Sequence, residues 1–210
     1  VDGQKVNLTR TFTELSASTN PTHVGQNITV EVNHPNDLKN NVTVIIDGNE
    51  YFGKVSGSKT IIIIPDLDVG NYTASVHYMG DDVYLAKTIP LNVKVIAIII
   101  QAPDVEKYYK GSEKLNITVI DGEGAILANE KVTAIIEGKP YEAITNPNGK
   151  ASFDLNMTPG NYVVEIVLNT TKVTSNVYIK STVPEGIVNG TSAENGFEIK
   201  FVDSEGKQNT

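Results

Sequence analysis

The stretches VTVIIDGNEY and VTAIIEGKPY begin at Val42 and Val132, and the stretches GNYTASV and GNYVVEI begin at Gly70 and Gly160. Both pairs stand 132 − 42 = 160 − 70 = 90 residues apart, and Gly48/Gly138, Tyr51/Tyr141 and Tyr72/Tyr162 keep the same offset. Register held over about thirty residues marks a tandem repeat. It constrains the chain more than any other feature, because whatever fold suits one copy must be built twice within 210 residues. A unit of about 90 residues is large enough to bury its own core, so two domains of one type are expected.

Inside each copy apolar and polar residues alternate. In NITVEV, Ile28, Val30 and Val32 point one way and Thr29 and Glu31 the other. Period two belongs to half-buried antiparallel strands. The pattern continues in NVTVII, KTIIII, NYTASVHY and LNVKV of the first copy, and in KLNITVI, KVTAIIE, KASFDLN, NYVVEIVL and VTSNVYI of the second. No window shows a helical period. Turn formers separate the runs: Asp47-Gly48, Gly80-Asp81-Asp82, Asp121-Gly122, Glu137-Gly138 and Asn148-Gly149. This pattern predicts an all-β chain of tandem Ig-like Greek-key sandwiches arranged end to end, with about seven strands in each. The recurring Gly-Asn-Tyr fits that fold. A Tyr opening the penultimate strand is where such sandwiches place a tyrosine corner, so Tyr72 and Tyr162 take that role, with Gly70, Gly160 and Pro159 shaping the turn before it.

The repeat places a first sandwich at 1–95, its core starting at about Thr9, and a second at 96–183. The connector VKVIAIIIQAPDVEKYY has no Gly, Ser-rich or charged tract and is expected to be stiff. Residues 184–210 hold GFEIKFVDSEGK, one good strand of a partial third unit or a segment for exchange with a neighbour. With neither an initiator Met nor a signal sequence, the chain reads as a processed or excised piece of something longer.

Composition removes several function classes. Seventeen Lys and Arg against 25 Asp and Glu give a net charge of −8. No cationic footprint for nucleic acid is present. The longest aliphatic run, VIAIII at 95–100, is far shorter than the roughly 20 residues of a membrane-spanning helix, so no membrane insertion is expected in this segment. Cysteine is absent, which excludes disulfides and thiolate metal sites. The three His, at 23, 34 and 77, fall in different segments, and no nucleophile elbow, phosphate loop, dinucleotide fingerprint or zinc motif occurs. The expectation is a non-enzymatic protein without cofactors. The acidic pairs Asp66/Asp68 and Asp81/Asp82 carry oxygens a calcium ion takes, but they lack the spacing of a dedicated loop and read as solvated turns.

Two covalent features stand out. Asn-x-Thr sequons occur at Asn7, Asn27, Asn41, Asn71, Asn116, Asn156, Asn169 and Asn189. In most, an inward apolar residue separates an outward Asn from an outward Thr, which places the Asn where a glycan can attach. A strand alternating in this way also writes the motif unaided. The second feature is a crosslink. Surface sandwiches without disulfides can join a Lys on the first strand to an Asn on the last with a buried acid assisting. Lys107 or Lys110, Glu137 and Asn176 are the candidates here.

The segments APDVEKYYKGSEKLNITV, ITNPNGKASFDLN, KSTV at Lys180 and FVDSEGK resemble the repeats of methanogen adhesin-like proteins of the Methanobrevibacter type, large surface proteins built of bacterial Ig-like domains. NPTHVGQNITVEV, GNYTASVHYMGDDVY and LNVKV of the first copy resemble a related Ig-like type. The resemblance covers about Thr19 to Lys207. It implies secretion, an extracellular cell-surface location and a role in attachment, with other cells or surface glycans as partners. The reading is an adhesin or stalk segment. One alternative is a fibre subunit assembled end to end by strand donation between chains, motivated by the partial third unit and the strand-like FTELSAS near the N-terminus. Another is a carbohydrate-binding module, which needs exposed aromatic platforms; Trp is absent, and most of the nine Tyr fall at structural positions.

Overall fold

A computed structural model describes residues 9–65 and 67–182, which contain strands, turns and loops and no helix. Two compact units divide at Ala97/Ile98. The first holds β1 (Ser16–Ser18), β2 (Thr22–His23), β3 (Ile28–Asn33), β4 (Val42–Ile46), β5 (Asn49–Gly53), β6 (Lys59–Ile64), β7 (Gly70–Tyr78) and β8 (Lys87–Ile96). The second holds β9 (Ile98–Gln101), β10 (Val105–Tyr108), β11 (Lys114–Asp121), β12 (Lys131–Ile136), β13 (Lys139–Ile144), β14 (Lys150–Asp154), β15 (Gly160–Leu168) and β16 (Thr171–Lys180).

The topology is built twice. A three-stranded sheet in the order β1-β3-β6 faces a five-stranded sheet in the order β2-β8-β7-β4-β5, and the second unit repeats this as β9-β11-β14 and β10-β16-β15-β12-β13. The sandwich has eight strands rather than about seven because the first strand is split. Its front half pairs antiparallel with the second strand, and its back half crosses to the other sheet and pairs parallel with the last. Pro21 and Pro103 sit in the two crossings. A residue without an N–H leaves its ladder unpaired, which lets the chain change sheets there. The connector is likewise not a linker: it comprises the end of β8, all of β9 and all of β10, with Ala97 alone between the strands of the two units. Ile98 and Ile100 are buried while Ile99 between them is exposed, so its aliphatic run obeys the strand period. The division therefore falls two residues later than the expected Val95/Ile96.

The inward residues form each core. In the first unit Ile28, Val30 and Val32 of β3 and Ile62 and Ile64 of β6 meet Val42, Val44, Ile46, Ala74, Val76 and Tyr78 across the sandwich. In the second, Leu115, Ile117, Val119 and Phe153 meet Val132, Ala134, Val164, Ile166 and Val177. Burying each large aliphatic contributes roughly 1.5–3 kcal/mol, offset by the entropy of ordering the chain.

Two turns use left-handed backbone in the same way. Asp47 (φ 50°) and Gly48 (φ 76°) join β4 to β5, and Glu137 (φ 50°) and Gly138 (φ 76°) join β12 to β13. Two successive positive φ values match the twist of a two-residue hairpin. Glu137 is thus an exposed turn residue and not the buried acid that a crosslink requires.

Candidate functional site

The structure places the candidate residues as follows. Asn27, Asn41, Asn71, Asn116, Asn156 and Asn169 are all exposed, and Asn7, Asn189 and the partial third unit at 184–210 lie outside the described residues. The Tyr72 hydroxyl donates to the carbonyl of Asp68 at 2.8 Å, and the Tyr162 hydroxyl to that of Thr158 at 2.9 Å, each reaching four residues back. Burial and the Asp68 charge push the Tyr72 hydroxyl up. The preceding glycine meets the expectation in one copy and not in the other: Gly160, at φ 158°, takes a backbone conformation that side chains disfavour, whereas Gly70 is not at positive φ. In both, a Cβ would crowd the ring, standing 3.3 Å from Tyr72 Cε2 on Gly70 and 3.4 Å from Tyr162 Cε2 on Gly160. The tripeptide recurs because the ring lies against the glycine two residues before it.

The crosslink candidates are not brought together. Lys107 points into the second sandwich, 4 % exposed, with its Nζ donating to the carbonyls of Glu113 at 3.2 Å and Leu155 at 3.1 Å. Asn176 lies one strand away on the opposite, exposed face, bound to Asp104. Lys110 sits at φ 62° over the Tyr109 ring, at 5.5 Å. Parity along the strands separates them, because residues whose ladder positions differ by an odd number face opposite sides.

The acidic pair Asp81/Asp82 is held by protein donors. Asp81 accepts from the Tyr78 hydroxyl and from the N–H groups of Val83 (2.7 Å), Tyr84 (2.7 Å) and Lys39 (3.2 Å). Burial pushes its carboxyl up, but these bonds, led by that of Tyr78, outweigh it and hold the group well below the usual carboxylate range. Asp82 takes the Lys39 ammonium at 2.6 Å. Asp66 lies outside the described residues, and no group of three metal-ligating side chains occurs among those described. None of the described helix-free segments supplies a membrane-crossing helix.

One surface concentrates ligand chemistry, and it was not visible by motif. Of the nine Tyr, the three most exposed are Tyr108 (42 %), Tyr141 (47 %) and Tyr178 (44 %). Tyr108 on β10 and Tyr178 on β16 share the outer face of the second unit's five-stranded sheet, whereas Tyr141, on the edge strand β13, stands opposite inward Ala134 and so turns to the other face. Beside Tyr178 is a depression of about 480 Å³ whose outward side chains are Asp104, Glu106, Asn161, Val163, Asn176 and Tyr178. Asp104 is fixed by the backbone N–H of Asn176 at 2.7 Å and its Nδ2 at 3.2 Å, and these bonds lower its carboxyl pKa. Glu106 pairs with Lys180, whose ammonium stands 5.9 Å from the Tyr178 ring and 5.7 Å from the Tyr108 ring. The same place in the first unit is a smaller depression of about 380 Å³, where Asn71, Thr73, Asn92 and Lys94 present themselves.

The fold has a clear counterpart among solved structures. The I9–I11 tandem from titin superposes with a TM-score of 0.55 at 12 % identity, covering 80 % of this chain. Both units are Ig-like sandwiches. The chain spans 66 % of the length of that titin tandem. Looser superpositions, with TM-scores of 0.34 and 0.29, match the Yersinia pseudotuberculosis adhesin InvE (16 % identity, 83 % of this chain and 60 % of that one) and domains 5–6 of the S-layer protein SbsC (17 % identity, 80 % and 97 %), and they add nothing to the Ig-like assignment. No protein-family model and no curated protein matches the chain.

Proposed function

We propose that the chain is a non-enzymatic segment of an extracellular, cell-surface adhesin or stalk. The observation that carries this reading is the repetition itself: one eight-stranded Ig-like unit built twice, with a single residue between the last strand of the first and the first strand of the second. Duplicating a closed sandwich adds reach and surface without assembling a reaction centre. The side-chain hydrogen bonds support it too. The bonded acids and buried polar groups described above brace loops, and each candidate glycosylation acceptor that the structure describes is exposed, as a chain working outside the cell would need. The sequence resemblance to methanogen adhesin-like repeats points the same way, with other cells or surface glycans as partners.

Antibody labelling and protease shaving of intact source cells test the location. Binding of the purified chain to those partner cells tests the attachment. Signal confined to the cell interior would overturn the reading. Intact mass of the native protein reads the sequons directly, since each occupied Asn adds a glycan mass. The rival fibre model is disfavoured at one end. The N-terminal segment is bonded within its own unit, Thr11 N–H to the Val83 carbonyl at 2.8 Å and Leu85 N–H to the Thr11 carbonyl at 2.9 Å, and is not held out for a neighbour. Light scattering across concentration would show growing mass if strand donation operates regardless.

A further inference from the structure

We propose that the outer face of the second unit's five-stranded sheet binds a neutral saccharide in the depression between Tyr178, Asp104, Glu106 and Asn161. The inference goes beyond the surface reading and does not rest on it, because a spacer and an adhesin alike could carry the site.

Three observations converge. The first is the aromatic wall. Tyr178 projects from β16 between inward Val177 and Ile179, and its two-torsion side chain offers an apolar face at little entropic cost, as ligand-binding tyrosines do. Lys180 braces the ring from one side.

The second is the set of polar groups around that wall. Asp104 Oδ1 accepts from both the N–H and the Nδ2 of Asn176, whereas Oδ2 accepts from Nδ2 alone, so with two lone pairs Oδ2 retains acceptor capacity toward the depression. Asn161 lies directly across the ladder from Tyr178 and supplies an amide that both donates and accepts. Glu106 pairs with Tyr178 from the other side, on β10. Acceptors fixed in advance, an amide and an apolar ring are complementary to vicinal hydroxyls and to the C–H face of a pyranose. Two carboxylates against the single Lys180 ammonium leave the depression net negative, which selects a neutral sugar over an anionic one.

The third is the internal comparison. At the matching ladder positions the first unit pairs Asn71 with Lys94 and Thr73 with Asn92, where the second pairs Asn161 with Tyr178 and Val163 with Asn176. The second unit has also lengthened its parallel strand from two residues to four, and that added length carries Glu106 into the rim. The first unit therefore has the depression without the ring or the carboxylates.

The test is a titration of the full chain, ¹⁵N-labelled, with methyl β-D-galactopyranoside, methyl α-D-mannopyranoside and methyl N-acetyl-β-D-glucosaminide, with N-acetylneuraminic acid as the anionic control. The expected result is saturable shifts of the amides at Asn161–Val163 and Asn176–Tyr178 with at least one neutral glycoside and a weaker response to the anionic sugar. Tyr178→Ala weakens that binding about ten-fold or more. Asp104→Asn weakens it while leaving Asn176 a partner. Both substitutions are on the surface, and an unchanged melting temperature shows that the variants are folded. Three results would overturn the proposal: no shift in these strands with any of the three glycosides, equal binding by Tyr178→Ala, or an equal response at Asn71 and Asn92 of the first unit.

Discussion

The two units close their last hairpins by different means. Eight residues, Met79 to Ala86, join β7 to β8, whereas Asn169 and Thr170 alone join β15 to β16. The long loop is organised around Asp81, anchored beneath it by the Tyr78 hydroxyl, and the N-terminal Thr11 and Thr13 are bonded along its far side. The short turn needs only one residue in left-handed backbone, Asn169 at φ 51°. At the position of Tyr78 the second unit has buried Leu168, which titrates nowhere. One topology thus yields one unit whose stability is tied to two titrating groups and another in which that end is closed by backbone geometry and apolar packing.

The largest effect to sharpen this contrast comes from the cores. Ile166→Ala and its counterpart Val76→Ala, both fully buried, should each lower only its own unit, the former by about 2–5 kcal/mol. Calorimetry should show one of two transitions move. A single transition moved by both variants would refute independent units. Next is Lys107→Met, which should cost the second unit about 1–3 kcal/mol by leaving the Glu113 and Leu155 carbonyls without their donor. Substitution at Thr22, which occupies the same ladder position in the first unit, should do far less.

The pH response follows in size. Burial, helped by the Asp81 bond, pushes the Tyr78 hydroxyl up to about 12. Its unfolded value is about 10, so between those values the unfolded chain has released a proton that the folded unit keeps, and stability falls as pH rises through that window. Asp81 has the opposite sense. Its carboxyl is lowered on folding, so its contribution is present above about pH 4 and is lost as pH falls below that value. Scans at pH 3, 7 and 11 should shift the first unit's transition at both extremes, and Asp81→Asn should flatten the acid limb. An equal acid limb in that variant would show that another group carries it. The smallest effect is at the corners: Tyr72→Phe and Tyr162→Phe should each cost about 0.5–1.5 kcal/mol, measured by urea titration.

Much of this was legible in the chain and some was not, for physical reasons. Val42/Val132, Tyr51/Tyr141 and Tyr72/Tyr162 announced the repeat because β4, β5 and β7 keep the 90-residue offset in their ladders. The last strand does not keep it. Tyr72 pairs with Val93 and Tyr162 with Val177, an offset of 177 − 93 = 84, so the six-residue difference between the hairpin turns erases the repeat there. The alternation in NITVEV and NYVVEIVL reported which residues are inside. It did not reveal the split first strand, since IIIQAPDVEKYY reads equally as a stiff connector until Pro103 is seen to separate two ladders. The crosslink set failed on parity, as Lys107 and Asn176 are of suitable type on suitable strands but on opposite faces. Tyr178 was hidden by its neighbours: inside VTSNVYI it reads as one more apolar residue, and only the alternation of Val177 and Ile179 turns it outward.

The parallel pairing of the split first strand with the last has a mechanical consequence. Tension applied at the two ends of a unit pulls these neighbours in opposite directions along their own axes, so their bonds are loaded in shear and must yield together. The first unit has two residues in that pairing and the second has four. Stretched as single molecules, the chain should therefore release its first sandwich at the lower force and keep the second, with its tyrosine-bearing face, intact until later; the reverse order would show that the clamp lies elsewhere.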